Sequence, residues 1–445
     1  MREKICLISL GCSKNLVDSE VMLGCLQKEG YQICSDKKEG DIIIVNTCAF
    51  INEAKKESIE TILELSELKK NGKCSVLVVS GCLSQRYGEE LKKEIPEVDL
   101  FIGTENFSQI GKILKKKKYS SPSFGNVLVK KPNFILDSQT PRVLSTPFYT
   151  AYVKIAEGCS NHCTYCIIPQ LRGSFRSRTI ESIVTEVKNL AAAGVKEINI
   201  ISQDTTLYGS DLEGNISLAT LLKDLVEITG IEWIRLLYCH PDHIFNDLIE
   251  IIKEERICKY IDLPIQHISN NILKRMGRKE GGAEIRDIIR RLREEIPGLN
   301  LRTTVMVGFP GETKDDFNEL VEFIKEAKFE HLGTFKYSKE EGTPAFNFKG
   351  SVAEKTKEKR YHRLMEVQSQ ISRQKNQDKI GSKIKAIVTG VNDNNIMIGR
   401  AYFQAPDIDG IIFITRGSAK VGAIVRVKVT GAHEYDLEGE IIGAD

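Results

Sequence analysis

Residues 151–166 read AYVKIAEGCSNHCTYC, an apolar strand-like run that passes directly into a loop with three thiols, Cys159, Cys163 and Cys166. Cys-x3-Cys-x2-Cys on one loop wraps three thiolates around one face of a metal cluster. Structural zinc closes four ligands, commonly from paired short spacings. His162 adjoins Cys163, which makes convergence of both on one ion awkward. Three thiolates suit a cubane 4Fe–4S cluster. They leave one iron without a protein ligand, and an open coordination position implies chemistry rather than scaffolding.

Outward from this loop the chain alternates strand and helix. Strand-like runs recur at residues 151–158, 197–203, 231–238, 260–265, 301–308 and 331–337, with helical segments between them. About six β/α pairs describe an open relative of the eight-fold barrel, whose site lies at the C-terminal ends of the strands. Upstream, runs at 4–10, 41–47, 75–81 and 98–103 alternate with amphipathic helices, which predicts a doubly wound parallel sheet. Residues 119–145, following a Lys run and rich in Pro, Ser and Gly, read as a linker. A charged helix over 351–377 leads to short alternating strands with Gly and Asn-Asp turns, a small all-β barrel. The expected fold is therefore α/β multidomain: 1–118, a linker at 119–145, a partial barrel at 146–375 and a β-barrel at 376–445.

The remaining nine of the 12 cysteines divide by position. Cys12, Cys48 and Cys82 each follow one of the first three strands, and in a doubly wound sheet ligands bind beyond the carboxyl ends of the strands. These three thiols are expected to meet. Cys6, Cys25, Cys34, Cys74, Cys239 and Cys258 fall inside strands or on helix faces and read as buried fillers.

Charge narrows the partners. Basic and acidic residues number 63 and 61, so no global field draws in nucleic acid. No apolar run approaches membrane-spanning length, and the first residues read as a strand and not a signal peptide. A cytoplasmic chain with reduced thiols and no membrane partner is expected.

The three-cysteine loop, with Tyr165 before its last thiol and a barrel strand before its first, resembles the radical S-adenosylmethionine (SAM) superfamily. That resemblance implies that SAM chelates the open iron and is cleaved to a 5′-deoxyadenosyl radical. Matching positions imply SAM contacts from Tyr165, Gln203, Asp204, Gly308 and Glu312. Arg172, Arg176 and Arg178 suit bidentate capture of a carboxylate.

A three-thiol α/β domain, a radical SAM barrel and a β tail in one order resemble the methylthiotransferase family, whose tail is a TRAM domain. The resemblance covers essentially the whole chain. It implies a second 4Fe–4S cluster on Cys12, Cys48 and Cys82 that carries or donates sulfur. One SAM serves as methyl donor and another as radical source, and the methylthio group is installed on an unactivated carbon. An electron donor such as flavodoxin or ferredoxin and a sulfur source are implied partners.

The family has two branches. ISLGCSKNLVDSE at residues 8–20, ISQDTTLYG at 201–209, LLYCHPDH at 236–243, LPIQHIS at 263–269 and GRAYFQAPDIDG at 399–410 are similar to the branch that modifies an aspartate β-carbon of small-subunit ribosomal protein S-twelve (uS12). The tRNA-adenosine branch tends to carry Gly-Cys-Gln-Met-Asn in the first of these. The tail agrees: residues 376–445 hold eight basic against nine acidic residues, and Asp407 with Asp409 suits a basic protein partner better than RNA. The alternatives are a tRNA methylthiotransferase, separated by which product carries the methylthio group, and a non-catalytic iron–sulfur RNA-binding protein, which would not cleave SAM.

Overall fold

The computed structural model describes residues 3–118 and 126–444. Its first unit is a parallel sheet in the order β2-β1-β3-β4-β5-β6. The strands are β1 (Lys4–Ser9), β2 (Gln32–Cys34), β3 (Ile42–Thr47), β4 (Val76–Gly81), β5 (Leu100–Ile102) and β6 (Asn126–Leu128). Every residue of β3 is buried, as expected of a central strand covered on both faces. Helices α1 (Ser13–Lys28), α2 (Asn52–Asn71), α3 (Cys82–Glu94) and α4 (Ile110–Lys118) make the crossovers. The winding reverses between β1 and β3, which opens a crevice at their carboxyl ends.

The second unit is an open sheet in the order β14-β13-β12-β11-β10-β7, parallel throughout. Its strands are β7 (Thr150–Lys154), β10 (Glu197–Ile201), β11 (Trp233–Leu236), β12 (Ile257–Asp262), β13 (Asn300–Val307) and β14 (His331–Lys336), with a small antiparallel pair β8 (Ala156–Glu157) and β9 (Arg176–Ser177). Helices α5 (Ile168–Arg172), α6 (Ile180–Ala192), α7 (Leu218–Val226), α8 (Asn246–Ile252), α9 (Asn270–Arg275), α10 (Gly282–Glu295) and α11 (Lys314–Ala327) connect them. Helix α10 shows why they pack: Ile285, Ile289 and Leu292 are buried at helical spacing while its arginines face outward. Thr179, Ser217 and Thr313 cap α6, α7 and α11 by accepting backbone N–H bonds.

Helix α12 (Glu354–Gln377) leads to a closed barrel, β15-β16-β17-β19-β18, formed by β15 (Lys383–Val391), β16 (Met397–Ala401), β17 (Ile412–Arg416), β18 (Ile424–Ala432) and β19 (Leu437–Ala444). Val425, Val427 and Val429 alternate inward along β18. Among the described residues no helix is long and apolar enough to cross a membrane.

The expected linker is corrected in its described part. Residues 126–128 form the sixth strand of the first sheet, and residues 141–145 are strapped across α1. Arg142 is buried between Glu20 and Glu186, both at 2.6 Å. A Cβ at Gly24 would sit 2.5 Å from the Arg142 nitrogen, so the strap crosses α1 where that helix has no side chain. Residues 119–125 of the expected linker lie outside the described residues.

Candidate active site

Cys12 precedes the first turn of α1, Cys48 follows β3, and Cys82 opens α3 directly after β4. Cys12 and Cys48 thus flank the crevice at the topological switch point. Two glycines allow the loops to close. Gly11 has φ +85°, and a Cβ there would lie 2.7 Å from Cys48 Cβ and 3.1 Å from its Sγ. Gly81 has φ +93°, and a Cβ there would meet Asn46 Oδ1 at 2.3 Å. The thiols lie within electrostatic reach of one another. Burial, then Cys82 and Cys12, push the Cys48 thiol up to about 12. Cys82 is raised too, by burial first, with Arg172 opposing. Thiols packed this way stay protonated until a metal takes them as thiolates, so the donor set fits an iron–sulfur cluster.

The second group follows β8. Gly158 has φ +78°, and a Cβ there would fall 2.1 Å from the Ser174 carbonyl. The Cys159 N–H donates to Gly173 O at 3.1 Å, Thr164 N–H to Met276 O at 2.9 Å, and Ala345 N–H to Thr164 O at 2.8 Å, so the loop is pinned from three sides. Burial pushes Cys159 up to about 11, with Cys163 adding to it, and Cys166 is raised by burial and Cys163. His162 is exposed. Tyr165 packs edge-on to Phe309 at 6.4 Å, and the buried Arg278 faces Tyr165 and Cys163.

Buried polar atoms without a protein hydrogen-bond partner gather at the carboxyl ends of the barrel strands. They are Gln203 Oε1 after β10, Asp262 Oδ1 ending β12, His267 Nε2 beyond it, Glu312 Oε1 after β13 and Tyr337 Oη after β14. Such groups cost free energy when left unmade. A polar ligand across the barrel mouth would satisfy them, so the chamber fits a molecule such as SAM. Gly308 and Glu312 belong to this rim. The Gly308 N–H donates to the Glu312 carboxylate, and Arg360 stands 3.2 Å from it.

Asp204 is also at the rim, but its carboxylate is already engaged. Asn161 donates to Oδ2 at 2.7 Å, Thr206 to Oδ1 at 2.9 Å, and His243 Nδ1 lies 3.0 Å from Oδ2. Burial opposes ionisation, yet the His243 and Asn161 bonds and nearby His240 hold the carboxyl below the usual range. Asp204, His240 and His243 present ligand-type atoms within 4.8 Å of each other. His240 Nδ1 accepts from the Asp242 N–H, so its proton sits on Nε2, and within the trio the hydrogen bond runs between His243 and Asp204.

Four expected contacts are corrected. Arg172 was read as a SAM contact. It reaches instead across to the first unit, where it donates to Asp18, to Asn15 Oδ1 at 3.1 Å and to Cys82 Sγ at 3.5 Å. Arg178 turns away into the strand layer, donating to Lys154 O at 2.9 Å and Glu186 at 2.5 Å, and Arg176 donates to the Ser174 and Arg172 carbonyls. Asp409, read as a substrate grip, is buried. It accepts from Tyr260 Oη at 2.7 Å and Ala405 N at 2.8 Å, with Arg302 at 3.3 Å. Asp407 is exposed.

Sequence reasoning did not single out Asp18, Lys154 or Glu157, the core of the junction between the units. Lys154 pairs with Asp18 and, at 2.6 Å, with Glu157, which also accepts from Gln203 Nε2 at 2.7 Å. Burial raises Glu157, but Lys154 and Arg172 outweigh it and hold the carboxyl near 2. A continuous chain of polar and charged side chains therefore runs from Gln203 at the barrel mouth through Glu157, Lys154, Asp18 and Arg172 to Cys82 in the first unit.

The chain matches three family models: Uncharacterized protein family UPF0004 over residues 4–103, the Radical SAM superfamily over 153–324, and the TRAM domain over 380–442. It is 52% identical over 444 residues to the ribosomal protein uS12 methylthiotransferase RimO of Geobacter sulfurreducens, covering 99% of each chain. It is 48% identical over 441 residues to the protein of the same name from Clostridioides difficile, again covering 99% of each. Among solved structures it resembles the radical SAM methyltransferase TsrM from Kitasatospora setae, with TM-score 0.56, 15% identity and coverage of 78% and 74% of the two chains. That likeness concerns the fold alone.

Proposed function

Since the chain belongs to the radical SAM family of ribosomal protein uS12 methylthiotransferases, we propose that it installs a methylthio group on the β-carbon of an aspartate of uS12. Cys159, Cys163 and Cys166 would hold the SAM-binding 4Fe–4S cluster, and Cys12, Cys48 and Cys82 the second one. Bound there, the clusters and SAM supply the radical hydrogen abstraction, the sulfur and the methyl group. An unactivated carbon has no acidic proton, so the protein contributes position and charge and no general base.

The observation that carries this reading is Arg172. It lies six residues beyond Cys166 and touches Cys82, so one short helix, α5, spans from one thiol set to the other. Cys12, Cys48 and Cys82 would hold the sulfur-supplying cluster on the side of the junction that α5 links to the barrel mouth. Arg172 offsets thiolate charge at Cys82, while Asp18 and Glu157 pair with its guanidinium and fix its position. Gln203 and Glu312 at the rim take up SAM. The exposed Asp407 remains available to a basic partner. Flavodoxin or ferredoxin is the class of electron donor this chemistry uses.

The test is competition in one tube. Recombinant uS12 and unmodified tRNA are offered to the reconstituted protein with SAM, reductant and sulfide, and both are digested for mass spectrometry. Methylthio-aspartate in uS12 with unmodified tRNA is expected, and Cys159→Ala abolishes it. Methylthio-adenosine instead would refute the substrate.

A further inference from the structure

Lys14 lies two residues beyond Cys12, in the first turn of α1, with only 8% of its surface exposed. Among the described residues it makes no hydrogen bond and has no carboxylate within 4.0 Å. Its ammonium rests on the face of Tyr238, 2.9 Å from the ring centroid. Every other deeply buried cation at the junction, Lys154, Arg142 and Arg172, is paired with carboxylates. A buried ammonium with no carboxylate in contact, and only Asp262 within electrostatic reach, carries a desolvation cost that a cation–π contact recovers only in part.

Tyr238 is itself held under strain. It follows β11 at the barrel mouth with φ +61°, a region that bulky side chains avoid. Three bonds fix it there. Its N–H donates to Asp262 Oδ2 at 3.0 Å, its carbonyl accepts from Thr205 N at 2.9 Å, and its hydroxyl lies 3.2 Å from Ser13 Oγ. The ring is thus a platform between the two units. It holds the ammonium of Lys14, two residues from Cys12, on a ring whose own N–H bonds Asp262 of the barrel rim.

We propose that Lys14 is a substrate-recognition residue whose ammonium takes the carboxylate of the target aspartate and aims its β-carbon between the two thiol sites. This rests on the uS12 reading above. The contacting anion, which Asp262 does not supply, is then the substrate itself. A neutral purine base would offer no such partner, so the same contact selects an acidic side chain over a nucleobase.

The experiment uses the full-length, cluster-loaded protein with SAM and two fluorescent peptides spanning the modified loop of uS12, one with the target aspartate and one with asparagine there. Binding is followed by anisotropy and product by mass spectrometry. Asparagine keeps shape and removes charge, so the unaltered enzyme should bind the aspartate peptide about ten- to a hundredfold more tightly. Lys14→Met keeps the stem and removes the ammonium, and should bring the two affinities within about twofold, while Lys14→Arg should retain most of the preference. A preference that survives Lys14→Met overturns the proposal. So does equal weakening on both peptides, or an unaltered enzyme that does not discriminate. If the unaltered enzyme leaves uS12 unmodified in the product assay, the functional reading fails first and this one falls with it.

Discussion

Arg172 brings a full charge into a site walled by Asp18, Asn15 and Cys82. Truncating one member of a buried ion pair strands the other, at a cost of about 3–5 kcal/mol. Arg172→Met should lower the stability of the folded protein by that amount in denaturant melts. It should also weaken retention of the N-terminal cluster, with bound iron falling from about eight toward about four per chain. Arg172→Lys, which keeps the charge but not the fork, should recover part of both. Retention of full iron and wild-type stability by Arg172→Met would remove Arg172 from the site. The six thiols were expected from local pattern alone: Cys12, Cys48 and Cys82 each follow a strand within a few residues, and Cys163 and Cys166 share the loop that Cys159 opens after β8. Arg172 was not, because its partners Cys82 and Asp18 lie 90 and 154 residues away. Asp409 escaped for the same reason: the Tyr260 hydroxyl that consumes it is 149 residues distant.

Loop closure at the strand ends depends on glycine in two places where no side chain fits. Gly81 carries φ +93° with Asn46 Oδ1 and the Thr47 carbonyl at 2.3 and 2.6 Å from a would-be Cβ. Gly158 carries φ +78° with the Ser174 carbonyl at 2.1 Å. Left-handed backbone costs an alanine about 1–2 kcal/mol before any clash is counted. Gly81→Ala should therefore cost the N-terminal cluster while sparing the barrel cluster, and Gly158→Ala should do the reverse. Iron content and SAM cleavage separate the two, since only the barrel cluster cleaves SAM. Loss of both clusters in both variants would mean that the two loops fold as one unit. The long elements that carry these loops were readable from periodicity, because buried runs such as Ile42–Thr47 have one interpretation. The three-residue edge strands Gln32–Cys34 and Asn126–Leu128 were not. Their strand state comes from pairing with β1 and β5, and not from a pattern of their own.

At the scale of the whole molecule, the C-terminal barrel is held to the radical SAM barrel by a buried carboxylate between two guanidiniums. Glu197, the first residue of β10, accepts from Arg235 at 3.0 Å and from both Nη atoms of Arg400, while Arg235 donates to Tyr402 O at 2.6 Å. Burial alone would raise the Glu197 carboxyl, but Arg400 and Arg235 overcome it and hold it near 2. In an unfolded chain the same group titrates near about 4.3. The folded state then binds fewer protons between those values, so the stabilisation from Glu197 is complete above about pH 4.3 and drains away as pH falls toward 2. Docking of the C-terminal barrel should fail across that window. Hydrogen exchange in β15–β19 and limited proteolysis after α12 would follow it. Glu197→Gln removes the titrating group and strands two buried arginines, so it should cost about 3–5 kcal/mol at neutral pH and abolish the acid step in that window. An acid transition of unchanged position and size in Glu197→Gln would place the pH-sensitive contact elsewhere. The neighbouring clamp offers the place to look, because burial lowers the His331 imidazole beside Asp409 and opening of the chain relieves that shift.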